Sequence, residues 1–129
     1  MGRVSFETVC NFDVDWPYEK PVFVWSSVRT EIPESLKGKA FLVNGTIQDI
    51  LNQIHEKGFY SLYIDGGKTI QSFLKEDLID SMIITIIPRL LGAGIPLFGE
   101  LANELAFECT TSKVFADKIV QNHFQRIKE

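Results

Sequence analysis

The stretch "YIDGGKTIQSFL", residues 63–74, joins an apolar run to an amphipathic one through two adjacent glycines, followed at once by a lysine and a threonine. Upstream, "SLYID" (61–65) has the continuous apolar character of a buried strand; downstream, Ile70, Phe73 and Leu74 recur at helical spacing. The stretch therefore reads as strand, glycine turn and helix. The first N–H groups of a helix lack internal partners, and the helix dipole leaves partial positive charge beside them. Gly66 and Gly67 would let an anion reach that backbone, with Lys68 adding charge and Thr69 a hydroxyl. A plain turn that needs positive φ is the competing account.

Two familiar phosphate motifs do not fit. A P-loop needs a glycine five residues before its Gly-Lys-Thr, and that position holds Leu62. In "GAGIPL" (92–97) the last position of the dinucleotide fingerprint is Leu97, with Pro96 where a helix should begin. A second junction of the surviving kind, Gly2-Arg3 with Ser5, opens the first helical stretch. Two helix starts converging on one point could grip a pyrophosphate from both sides.

Working outward, Phe6, Val9 and Cys10 lie at helical spacing, so a short helix is expected from about Val4. "DVDWPYEKP" (13–21) reads as a loop, "VFVWSS" (22–27) as a strand covered on both faces, and "KAFLV" (39–43) as another. Thr46 with Asp49 three residues on marks a helix start. Ile47, Ile50, Leu51 and Ile54 line that helix's inner face, and Gly58 supplies its stop. "SMIITII" (81–87) is a strand ending at Pro88. Beyond the Gly-rich loop, Leu105, Phe107, Cys109 and Thr111 alternate with Ala106, Glu108 and Thr110 as in a half-covered antiparallel strand, and a turn near Asp117 returns the chain through Val120 and Phe124. The fold class is α/β, with crossovers first and a hairpin last, in one domain spanning 1–129.

Seventeen acidic and thirteen basic residues are interspersed and leave a net charge of −4, so no broad basic face is offered to nucleic acid. Cys10 and Cys109 stand far apart and read as small buried apolar groups. His55 and His123 are too isolated to suggest a metal pair. The zinc deaminase signature is absent. No signal-peptide pattern opens the chain, and "MIITIIPRLLGAGIPLF" (82–98) is too interrupted for a membrane helix, which makes the cytoplasm the expected compartment.

Taken together, "GRVSFE", "VFVWSS", "YIDGGKTIQSFL" and "IITIIPRLLGAGIPLFG", in that order, resemble the dihydrofolate reductase fold and within it the riboflavin-biosynthesis reductase branch, the RibD C-terminal domain family. The resemblance implies a mixed, mostly parallel sheet flanked by helices, and NADPH as the cofactor. It implies that Gly2, Arg3 and Ser5 meet the cofactor phosphates and that Ser26 and Ser27 border the adenosine 2′-phosphate. Gly66, Gly67, Lys68, Thr69 and Ile70 would form the turn under the diphosphate and nicotinamide. Asp65 would either contact a pterin-like or pyrimidine-like substrate or cap the following helix. Thr85 matches a strand threonine near the pterin, with a structural hydroxyl as the other account. A shortened relative that binds nucleotide without turnover is the rival function.

Members of that family normally carry a further strand and helix before the Gly-Arg element, and here Met1 abuts Gly2. The absent strand would lie between "SLYID" and "SMIITII". Those two strands are expected either to close up on each other or to accept a strand from a second chain in a homodimer, unless the chain belongs to a longer protein.

Overall fold

The structure is a computed structural model and describes residues 1–28 and 31–128. The chain divides into two compact units, Met1–Ile70 and Gln71–Glu129.

The first unit is built on parallel strands. β1 (Val22–Trp25) and β2 (Ala40–Val43) pair in parallel, with Val22 opposite Ala40 and Trp25 opposite Val43. On the other side of β1 the first residues of the chain add a short parallel segment. Gly2 bridges Trp25, the Met1 nitrogen donates to the Phe23 carbonyl at 2.8 Å, and the Trp25 amide donates to the Met1 carbonyl at 2.9 Å. Parallel neighbours require crossovers, and α1 (Arg3–Cys10) and α2 (Ile47–Glu56) follow Gly2 and β2. Phe6 and Val24 are fully buried and pack with Val22, Leu36 and Ala40; Trp16 and Tyr18 of the 13–21 loop close over them, ring against ring.

α2 begins at Thr46 in a reciprocal capping box with Asp49, buries Ile50 and Ile54 one turn apart, and ends before Gly58 at φ 89°. The strand expected over 61–65 is not formed. No strand among the described residues pairs with this segment, and Tyr63 within it is 91% exposed. Apolar content permits a strand, but only a hydrogen-bonded neighbour makes one.

α3 (Gly67–Lys75) starts in the first unit and continues into the second, where Phe73 and Leu74 are buried as their spacing requires. There β3 (Ser81–Ile86), β4 (Phe107–Phe115) and β5 (Ile119–Arg126) form an antiparallel sheet in the order β3-β5-β4. Ala116 and Asp117, both at positive φ, make the hairpin turn between β4 and β5. The alternation expected from Leu105 to Thr111 breaks at a bulge between Cys109 and Thr111. Both cysteines are exposed, which corrects the expectation of burial. Cys10 occupies the last turn of α1 and Cys109 an edge strand at its bulge, places where periodicity no longer predicts cover.

Arg126 ties the second unit together. Its Nε and a terminal nitrogen donate to the two Asp77 carboxylate oxygens at 2.7 and 3.0 Å, its other terminal nitrogen donates to the carbonyls of Ala106 and Ile127, and its guanidinium lies over the Phe107 ring. The Gln71 amide donates to the Pro96 and Leu97 carbonyls and fastens the 96–99 loop to α3. No helix among the described residues is long and apolar enough to cross a membrane.

Candidate functional site at two helix starts

The carboxyl ends of parallel strands are where α/β folds place ligands. In the first unit Gly2, Ser26 and Gly45 mark these ends, after the Met1–Gly2 segment, β1 and β2, and Gly66 lies before α3. The starts of α1 and α3 meet there. A Cβ built on Gly2 would lie 2.8 Å from the Thr69 hydroxyl oxygen; one built on Gly66 would lie 2.7 Å from the Ser5 hydroxyl oxygen and 3.7 Å from the Gly2 nitrogen. Each helix thus sets its own hydroxyl against the glycine of the other. A side chain at Gly2 or Gly66 would have to displace the Thr69 or the Ser5 hydroxyl.

The three glycines serve different ends. Gly66 has φ 96°, so turn geometry and close approach both require it. Gly2 is extended and is needed for approach alone. Gly67 has ordinary φ, and a Cβ there meets nothing within 4 Å. Its space opens outward, beside the first turn of α3.

The backbone at this junction is polarised toward an acceptor. The first bond inside α1 runs from the Phe6 amide to the Gly2 carbonyl at 3.1 Å, and the first inside α3 from the Ile70 amide to the Gly66 carbonyl at 2.9 Å. The amides ahead of Phe6 and Ile70 therefore have no acceptor within their own helices. No side chain caps α1. α2 differs, because its start is closed by its own Thr46 and Asp49: the Thr46 amide donates to the Asp49 carboxylate at 2.8 Å and the Asp49 amide to the Thr46 hydroxyl at 3.2 Å. Its first turn already holds an anion. α1, which has no capping side chain, has no such anion of its own at its start.

Arg3 lies on α1 in an ion pair with Glu7 at 2.9 Å and remains about 41% exposed, so its guanidinium stays within reach of solvent at this end of the helix. Thr69 is buried and Ile70 half-buried, whereas Lys68 is exposed. Ser26 is buried; its hydroxyl accepts from the Val28 amide at 3.3 Å and its amide donates to the Val43 carbonyl, a turn-forming role, while Ser27 is exposed. The Trp25 indole donates to the Gly45 carbonyl at 3.1 Å and links β1 to the turn before α2.

Asp65 precedes the glycines and acts on two groups that sequence reasoning did not assign to the site. Burial pushes the Met1 amine below its usual pKa while the Asp65 charge opposes the shift. The Tyr18 phenol is pushed above its usual value first by burial, then by the charges of Asp65 and Tyr63. The Tyr18 phenol is an O–H donor within the electrostatic reach of Asp65. The only signal for it was the Trp-Pro-Tyr run inside a loop. Thr85 is not brought together with these residues in one compact unit; it lies on β3 in the second, where its hydroxyl accepts from the Gln121 amide at 3.2 Å across the ladder.

The sequence profile of the RibD C-terminal domain matches residues 12–121. The chain belongs to the RibD C-terminal domain family. It is 52% identical to a candidate riboflavin biosynthesis protein of Shewanella sp. PV-4, whose crystal structure superposes with a TM-score of 0.94 over 99% of this chain and 72% of that one. It is 35% identical to the uncharacterized protein YwjB of Bacillus subtilis over 98% of this chain and 71% of YwjB. It is also 31% identical to the riboflavin biosynthesis protein RibD of Aquifex aeolicus, over 61% of this chain and 24% of that protein. The Acinetobacter baumannii RibD structure, 23% identical with a TM-score of 0.58 over 82% of this chain, shares the fold. The family carries a reductase-related role in riboflavin biosynthesis.

Proposed function

We propose that the chain is an NADPH-dependent reductase acting on a pterin-like or pyrimidine-like small molecule. The observation that carries this reading is the contact of the α1 and α3 starts through Gly2, Thr69, Gly66 and Ser5, beside the open space at Gly67. The residues gathered here suit a diphosphate: the first turns of two helices, two hydroxyls, and the Arg3 and Lys68 cations, with no capping side chain on α1. When bound, the nicotinamide supplies a hydride to an electron-poor carbon of the heterocycle. The chain's own work is placement. The helix starts fix the diphosphate and Ser27 is available to the adenosine end. Asp65 and Tyr18 offer a carboxylate and an O–H donor to ring nitrogens or to a carbonyl of the substrate.

Isothermal titration calorimetry of NADPH into the wild-type chain and into Gly67→Val tests the reading. Saturable heat in the wild type and none in the variant is expected. No heat with the wild type at millimolar NADPH would sink it. Oxidation of NADPH is then followed across a panel of pterins and aminopyrimidines. Binding without oxidation of any of them would favour the rival reading, a nucleotide-binding protein that has kept the fold and lost the reaction.

A further inference from the structure

The turn that follows β2 holds the one Asn-Gly pair in the sequence, Asn44-Gly45; the other four asparagines precede Phe12, Gln53, Glu104 and His123. Asn44, Gly45 and Thr46 are all exposed. Among the described residues the Asn44 side-chain amide has no hydrogen-bond partner, and neither has the Gly45 backbone amide. The turn is fixed through its carbonyls instead: that of Asn44 accepts from the Gln53 side chain at 2.8 Å, and that of Gly45 from the Trp25 indole at 3.1 Å. The fold thus pins the acceptors of this turn and leaves its two amides loose.

Glycine is required at position 45. Its φ is 108°, and a Cβ there would lie 2.7 Å from the same Asp49 carboxylate oxygen that accepts from the Thr46 amide. The capping box that starts α2 therefore demands a residue without a side chain directly after Asn44. That lack has a chemical cost. Asparagine is a thermolabile residue, and it is most so before glycine, where no Cβ shields the following backbone nitrogen from the side-chain carbonyl.

We propose that Asn44 is a site of self-modification in the folded protein. The Gly45 nitrogen, giving up its proton to solvent base, attacks the carbonyl carbon of the Asn44 side chain. A new carbon–nitrogen bond closes a succinimide ring as the bond to the side-chain nitrogen breaks and ammonia leaves. Water then adds to one of the two imide carbonyls: opening at one gives aspartate, and opening at the other gives isoaspartate. The sum is one water consumed and one ammonia released, with no oxidation or reduction. Either product sets a carboxylate in place of a neutral amide at the carboxyl end of β2. Isoaspartate also lengthens the main chain by one carbon between β2 and the Thr46 cap.

Peptide mapping by mass spectrometry tests this on the full chain, held folded at neutral and at alkaline pH and sampled over weeks. Conversion is expected at Asn44 ahead of the other four asparagines, faster at the higher pH, with isoaspartate detected by enzymatic methylation of its carboxylate alongside aspartate. Asn44→Gln, whose longer side chain must close a larger ring, should stay unmodified at that position over the same period. A synthetic peptide of residues 40–57 serves as the unfolded reference. An Asn44 that stays intact in the chain while the peptide converts would overturn the proposal, as would conversion led by another asparagine or a product containing aspartate alone.

Discussion

Gly66 and Gly67 are neighbours in sequence and opposites in function. At Gly66, φ 96° and the Ser5 hydroxyl at 2.7 Å from a built Cβ make alanine costly. Gly66→Ala is expected to lose about 1–3 kcal/mol of stability, read as a lowered denaturation midpoint. At Gly67 neither constraint applies, so Gly67→Val should fold with a nearly unchanged midpoint and still fail to bind NADPH, because its side chain would fill the space beside the first turn of α3. Equal affinities for Gly67→Val and wild type would show that the turn is architectural. Arg3→Ala separates two placements of the guanidinium: a larger affinity loss for NADPH than for NADH puts it at the 2′-phosphate, and an equal loss puts it at the diphosphate. The Gly-Gly-Lys-Thr run and its likeness to Gly-Arg-x-Ser were legible in the sequence because both advertise backbone freedom next to charge. Tyr18 was not, because its role arises from burial and from the approach of Asp65, which no spacing encodes.

Elements were legible where their determinants are local. α2 was read to within a residue because its capping box, its apolar stripe and Gly58 all lie inside it. Thr46→Ala is accordingly expected to cost about 1 kcal/mol in chemical denaturation. The 61–65 segment was misread because a strand is a relation between two segments and only one of them was on view. The link between Asp77 and Arg126, 49 positions apart, was equally invisible. Hydrogen bonding to Arg126 holds the Asp77 carboxyl below its ordinary value of 3.8, as bonding to Thr46 does for Asp49. A carboxylate whose pKa is lowered by folding stabilises the protein above its unfolded value, and that contribution disappears as pH falls through the folded value. Stability should therefore decline below about pH 4, and Asp77→Asn should flatten that decline when denaturation midpoints are compared across the acid range.

For the molecule as a whole, the order of crossovers and hairpin was recoverable because patterning distinguishes buried parallel strands from half-covered antiparallel ones. What the pattern could not convey was the pairing of β3 with β5 in a three-stranded antiparallel sheet. A ligand that binds only the folded chain stabilises it by mass action. NADPH at about 100 times its dissociation constant should contribute roughly 2.7 kcal/mol and raise the melting temperature of the wild type but not of Gly67→Val.

Trp25 bridges Gly2 through the backbone and anchors its indole on the carbonyl of Gly45, so one of the chain's two tryptophans stands at the rim of the junction between α1 and α3. Indole emits where a reduced nicotinamide absorbs and an oxidised one does not. Under the proposed NADPH binding, dimming of this indole would report the hydride-bearing form and recover as that form is spent.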